Sequence, residues 1–307
     1  MKKIITHIVI LLLFQQVNVF SQYYSEFGSS FHNGLTWNPA YTGSRDALQI
    51  IMLRRNQWQG IEGSPKSFFF SADAPLKNDK VGLGLSIQTE GYGIHNNLRV
   101  QTYYSYSVPF YQGFLSFGVK LAFENISMKW NSISPLEYGD NSFNIANQSY
   151  FMPNSGIGFA YRSDNFNIAA SLPSIFSIRE AAGASSQFEF YNDTKLYNYF
   201  AMINYRLINS ENFNLFPIYK IRYQSANNMI HDLGIQTNII KNLWLGLNYR
   251  TANSFLTMIR IDVNKQLHLI YAYEQSISKL ALLDANTHEI SIQYEFSYII
   301  KAVTPRF

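Results

Sequence analysis

The chain reads as an all-β protein: a transmembrane outer-membrane antiparallel β-barrel of about 14 strands, with long extracellular loops and short periplasmic turns. Three observations predict this. Charged residues make up only 14% of the 307 and aromatics 16%, with 22 Tyr and 24 Phe, whereas typical soluble domains are about a quarter charged. From about residue 47 onward, side-chain character alternates with a period of two, the mark of a strand whose two faces meet different surroundings. The links between alternating runs fall into a short and a long class that take turns along the sequence.

The first residues are read separately. Lys2 and Lys3 precede an apolar stretch culminating in Ile8 to Phe14, then "VFSQ", the layout of a cleavable secretory signal over residues 1–21. The run is shorter than the roughly 20 residues a spanning helix requires, which argues against a membrane anchor. The absence of cysteine excludes disulfides, thiolate metal sites, thiol catalysis and lipid on an N-terminal Cys. Without the two presequence lysines the charge is close to neutral, and no long basic run points to nucleic acid. Residues 22–46 are assigned to an N-terminal periplasmic or plug segment and 47–307 to the barrel, with both termini periplasmic.

Strands are expected at 47–55, 66–74, 80–89, 98–108, 113–125, 155–162, 165–172, 195–207, 213–223, 231–239, 242–250, 254–263, 266–274 and 287–296. Val81, Leu83, Leu85 and Ile87 share one face, with Gly82, Gly84, Ser86 and Gln88 on the other; Leu115 to Phe123 oppose Ser116, Gly118, Lys120 and Glu124 in the same way. The second face is too polar for a protein core but suits a lumen. Several runs are about ten residues long, enough to cross a bilayer at a tilt. Closure follows because lipid offers no partner to an open strand edge. Tyr103, Tyr104, Tyr106, Tyr197, Tyr199 and Tyr205 fit interfacial girdles. A secreted β-sandwich shares short alternating strands but turns its apolar face inward and seldom needs strands this long and aromatic. The segments 126–154 and 173–194 read as outer loops.

Little of the sequence suggests catalysis. No histidine stands in a metal spacing such as H-E-x-x-H, and no G-x-S-x-G elbow is present. No cofactor or metal is therefore expected. His268, on a polar strand face near Arg260, Asp262 and Glu274, is the one candidate base for a lipid hydrolase, and lining the lumen explains it more simply. The "GLGLS" at 82–86 lies in an alternating strand and opens no helix, so its glycines read as close packing of a plug or a bend, not a phosphate loop. Arg99, Lys120, Arg206, Arg260 and Asp262, with Glu124, Lys220, Arg222, Arg250 and Glu295, are candidate lumen charges that line the wall, select a solute or hold a plug. Phe200, Met202, Leu256, Met258 and Ile270 also face inward and leave a transporter of a small hydrophobic solute open.

One stretch exceeds what a barrel demands: "WNPAYTGSRDALQIIMLRRNQWQGIEGSP", residues 37–65. Asn38, Pro39, Ala40, Tyr41, Gly43 and Ser44, followed by Arg55, Gln57, Trp58, Gly60, Gly63 and Pro65, with Pro75, Gly82, Gly84 and the terminal "TPRF", resemble the PorP/SprF family of outer-membrane proteins of the type IX secretion system of Bacteroidetes. The resemblance implies a non-enzymatic barrel that assists secretion of a cognate large adhesin-like protein and holds it at the cell surface, often in gliding motility. It further implies contacts with other secretion components and outer-membrane lipid. Asn38, Pro39, Ala40, Tyr41, Gly43, Arg55, Trp58, Gly60, Gly63 and Pro65 are its partner-binding candidates, with the "NPAY" segment expected at the periplasmic mouth. Residues 297–307 extend the last strand or sit in the periplasm.

Overall fold

The computed structural model describes residues 26–45, 47–76, 80–130, 147–180, 188–192, 194, 197–210, 213–224, 228–251, 253–278 and 285–296. The expected signal at 1–21 and the segment 297–307 lie outside them. Fourteen strands form one closed antiparallel barrel: β1 Leu48–Gln59, β2 Lys66–Pro75, β3 Val81–Tyr92, β4 His95–Phe110, β5 Gly113–Met128, β6 Gln148–Ser163, β7 Phe166–Leu172, β10 Asn198–Tyr205, β12 Phe213–Gln224, β13 Asn228–Ile239, β14 Leu243–Arg250, β15 Ser254–Asp262, β16 Leu267–Ser276 and β17 Asn286–Phe296. Three short strands stand outside this ring: the hairpin of β8 (Ser177–Glu180) and β9 (Phe188–Tyr191), and the two-residue β11 (Ile208–Asn209), which pairs with β12. The ring closes where β1 pairs with β17, from Leu48 opposite Phe296 upward, and where β10 pairs with β12. The outward face of β5 shows why: Phe117, Val119, Leu121 and Phe123 are about half exposed, while Ser116, Lys120, Ala122 and Glu124 are buried on the lumen side. An apolar belt with a polar interior needs every backbone group paired within the wall.

Each of the fourteen expected strands is present, with three differences in detail. β5 and β6 run as far as Met128 and start from Gln148, so both ends of the expected loop at 126–154 are strand. β3 and β4 lengthen until only Gly93 and Ile94 separate them, and the long links concentrate at 129–147, 173–197 and 277–285. Tyr103 is no girdle residue: it has the parity of Gln101 and Ser105, is 4% exposed, and its hydroxyl meets Ser86 Oγ at 2.8 Å. Tyr104, Tyr106, Tyr199 and Tyr205 do face outward.

Residues 26–45 occupy the lumen. They form three 3₁₀ turns, Gly28–Phe31, Gly34–Thr36 and Pro39–Tyr41, because glycine and proline recur too often for a longer helix to propagate. The segment runs lengthwise. Arg45 reaches Glu295 beside the rim of short turns, whereas Glu26 meets Arg250, the last residue of β14, toward the long-loop rim.

Candidate functional site

The "NPAY" residues lie within the barrel, against its inner wall. Asn38 caps the third turn, its Oδ1 accepting from Ala40 N at 2.8 Å, and its Nδ2 donates to the Phe159 and Ala170 carbonyls at 3.0 and 3.2 Å. One side chain thus fixes the local turn and ties it to β6 and β7. Pro39 and Ala40 lie so close to Gly118, and Asn38 and Pro39 to Gly158, that a Cβ on either glycine would overlap the plug. Gly43, at φ +62, donates its N–H to Asp73 Oδ2 at 2.7 Å and abuts Gly82 and Pro75; Thr42 lies over Gly82 and Gly84. Motif residues from three parts of the sequence therefore converge where plug backbone meets strand backbone. Trp37 packs on Phe200, and Tyr41 shares a hydrogen bond with Asn167.

The other side of the lumen holds the plug by charge. Glu289 of β17 receives the N–H groups of Gly28 and Ser29 at 2.7 and 2.9 Å, and the Ser29 hydroxyl. Arg55 of β1 bridges Glu289 at 3.4 Å and Glu274 at 2.6 Å; Arg250 joins Glu274 to Asp232. Glu26, from the plug, completes the network with Lys220 at 2.7 Å, Arg250 at 3.5 Å and Arg222 at 3.6 Å. Burial pushes the Glu26 carboxyl upward, but Arg250, Lys220 and Arg222 more than offset this and hold it well below the usual carboxylate range. Four carboxylates and four cations balance, as a desolvated cluster requires. Lys220 also stands 5.2 Å from the Trp37 ring and 5.4 Å from that of Phe200.

The candidate lumen charges divide accordingly. Arg99 pairs with Glu124 at 2.9 Å, and Lys120 donates to Gln101 at 2.7 Å, both within the wall. Arg206 lies beyond β10 with its guanidinium 5.4 Å from the Phe216 ring. Arg260 holds Asp262 at 2.7 Å and touches plug residue His32 at 3.2 Å. His268 Nδ1 meets Asp262 at 2.6 Å, whereas Glu274, expected beside it, belongs to the Arg55 and Arg250 cluster. Lys220, Arg222 and Arg250, with Glu26, Glu274 and Glu289, carry the electrostatic contact. Strand parity placed the wall residues inward, but nothing local marks Glu26 as their partner.

The second half of the motif is at the opposite end of β1. Trp58, at φ +50, donates its N–H to Thr287 Oγ1 at 3.2 Å. Gly60 and Gly63, at φ +101 and +70, turn the chain toward Pro65, whose carbonyl accepts from Gln57 N at 2.9 Å. The Gly63 carbonyl accepts from Gly93 N at 2.8 Å, coupling this link to the next. The motif is therefore divided between two regions, because the twelve residues of β1 separate its halves.

Residues 12–294 match the family described as "Type IX secretion system membrane protein PorP/SprF". The chain belongs to this family. Among curated proteins none matches the sequence. Solved structures share the fold of this PorP/SprF member at low identity. The CymD monoaromatic hydrocarbon channel has TM-score 0.54 at 13% identity, covering 91% of this chain and 95% of that one. Omp33 of Acinetobacter baumannii has TM-score 0.50 at 7%, covering 83% and 100%. The toluene transporter TbuX of Ralstonia pickettii has TM-score 0.50 at 10%, covering 84% and 92%. Closed barrel and family together make this PorP/SprF protein an outer-membrane component of type IX secretion, and both are of non-enzymatic kinds.

Proposed function

We propose that this barrel docks a cognate large adhesin-like protein at the cell surface and assists its secretion, contributing in motile cells to gliding. The observation that carries this reading is the filled lumen. A wall glycine row and a balanced charge cluster are both committed to residues 26–45, so the barrel is built as a closed platform and not as a conduit for its partner. On this reading the long links at 129–147, 173–197 and 277–285 face outside and select the cargo. Trp58, Gly60, Gly63 and Pro65 stiffen the same rim, the short turns face the periplasm and other secretion components, and the termini are periplasmic. Replacing Trp58, or Asn38 with Pro39, should abolish surface display of the adhesin while leaving barrel insertion intact; unchanged display sinks the assignment. An affinity pull-down from outer membranes, compared with a deletion strain, identifies the cargo.

A second reading, a channel for a small hydrophobic solute, is supported by the names of CymD and TbuX and by inward Phe200, Met202, Leu256, Met258 and Ile270. Against it, plug residues Trp37 and Gly28 already cover Phe200 and Leu256. Uptake of toluene that depends on this protein would favour the channel.

A further inference from the structure

Below the plug, open toward the short-turn rim, lies a cavity of about 450 Å³. The plug lines it with His32, Asn33 and Arg45, and the wall with Gln49, Asp73 and Arg162. Asn33 is 1% exposed, and neither atom of its carboxamide has a hydrogen-bond partner. Asp73, 3% exposed, gives Oδ2 to Gly43 while its Oδ1 is unpartnered. His32 Nδ1 lies 3.2 Å from the Arg260 guanidinium, which can only donate, so Nδ1 accepts. Burial, with Arg260 and Arg45 close by, holds this imidazole well below its ordinary pKa. The neutral ring thus carries its proton on Nε2, which is also without a partner.

These groups restrict what fits. An apolar occupant would leave each of them without a hydrogen-bond partner, which is unfavourable for a buried polar group. A simple anion meets Asp73, and a simple cation meets Arg45 and Arg162. The lining suits a ligand that repeats a donor and an acceptor at short spacing, as a polypeptide backbone does. A carboxamide can pair with a peptide unit through both of its ends, and Asn38 already binds two backbone carbonyls in this lumen. The volume lies within the ~300–1,000 Å³ of ordinary ligand sites. Because the plug closes the inner end, an occupant enters from the short-turn rim and stops there.

We propose that this cavity binds a short polypeptide segment inserted from the short-turn side, Asn33 pairing with its backbone, Asp73 accepting from it and His32 Nε2–H donating to it. A secretion-system membrane protein has polypeptides as its neighbours, which favours this ligand over a saccharide. The site is separate from the long-loop rim and does not rest on cargo docking there.

The test exploits the absence of cysteine. Asp164→Cys, at the cavity edge, carries a single environment-sensitive fluorophore on the purified full-length protein. N-acetyl-tetraglycine amide is titrated as the peptide probe and maltotriose as the saccharide probe. The expected result is a saturable change with the peptide, weakened about tenfold by Asn33→Leu, a loss of about 1.4 kcal/mol. Asp73→Asn, which keeps an acceptor for Gly43, should also weaken it and serves if Asn33→Leu does not fold. No saturable response, response to maltotriose alone, or equal peptide affinity in the folded variants overturns the proposal.

Discussion

The two sides of the lumen hold the same twenty residues by different physics. Toward β3, β5 and β6 the plug meets glycines, and Pro39 and Ala40 lie on backbone. Toward β12 to β17 and β1 it meets ionised side chains, with Glu26 and the Gly28 and Ser29 N–H groups set among four cations and three wall carboxylates. Close packing has little tolerance: a single methyl group is felt, and each such defect costs about 1–3 kcal/mol. A buried ion cluster is near balance when whole, but removing one member strands the others at about 3–5 kcal/mol. The glycine wall therefore fixes where the plug sits, and the charged wall makes displacement abrupt once it begins.

The largest expected effect tests the charged side. Glu289→Ala takes from Arg55 one of its two carboxylates and removes the acceptor of Gly28 and Ser29, which should destabilise plug seating by about 3–5 kcal/mol. Single-channel conductance in planar bilayers should rise well above wild type, with residues 26–45 becoming open to protease; an unchanged conductance would break the contrast. Next is Gly118→Ala, which drives a methyl into Pro39 and Ala40 and should cost about 1–3 kcal/mol. It is read as a lower temperature for loss of heat-resistant migration on gels, and no shift would show that the wall yields freely. Asn38→Ala removes a cap and two ties to strand carbonyls, for a loss of about 1–2 kcal/mol on the same assay.

The smallest effect concerns Glu26. Glu26→Gln leaves four cations facing three carboxylates but keeps the side chain's shape and an acceptor for Lys220, so it should cost less than Glu289→Ala, which removes charge and acceptor together. The folded carboxyl is held below its unfolded value, so its contribution is present above the ordinary carboxylate range. It is lost only as pH falls through the depressed value. Wild-type conductance should accordingly be the same at about pH 7 and pH 5 and rise only in stronger acid; opening at pH 5 would mean that the cations do not hold this group.

The ring was legible because lipid on one side and a polar lumen on the other impose a period of two on every strand. That rule would also have turned Tyr103 inward had its parity been followed past the neighbouring tyrosines. The expected strand at 155–162 began past Pro153, whereas β6 runs through that residue and β7 pairs only with Ile157 to Arg162. Pro153 thus stands on a locally free edge, where a missing N–H is tolerated. The plug had no periodicity to read. Its turns are local, but its position depends on Gly118, Gly158 and Glu289, whose relevance appears only when the barrel is closed. The glycines of "GLGLS" did signal close backbone approach, and the partner proved to be Thr42.

The register that joins the first strand to the last sets Arg55 directly opposite Glu289, and Glu289 is also the residue that grips Gly28, 261 positions earlier in the chain. Residues 26–45 are thus synthesised before any strand they rest on, yet they cannot be secured until β17 has arrived. Contacts of such long range form late. Ring closure and lumen closure are consequently one event in time: a barrel still open at this seam is also unsealed, and the seam is where assembly succeeds or leaks.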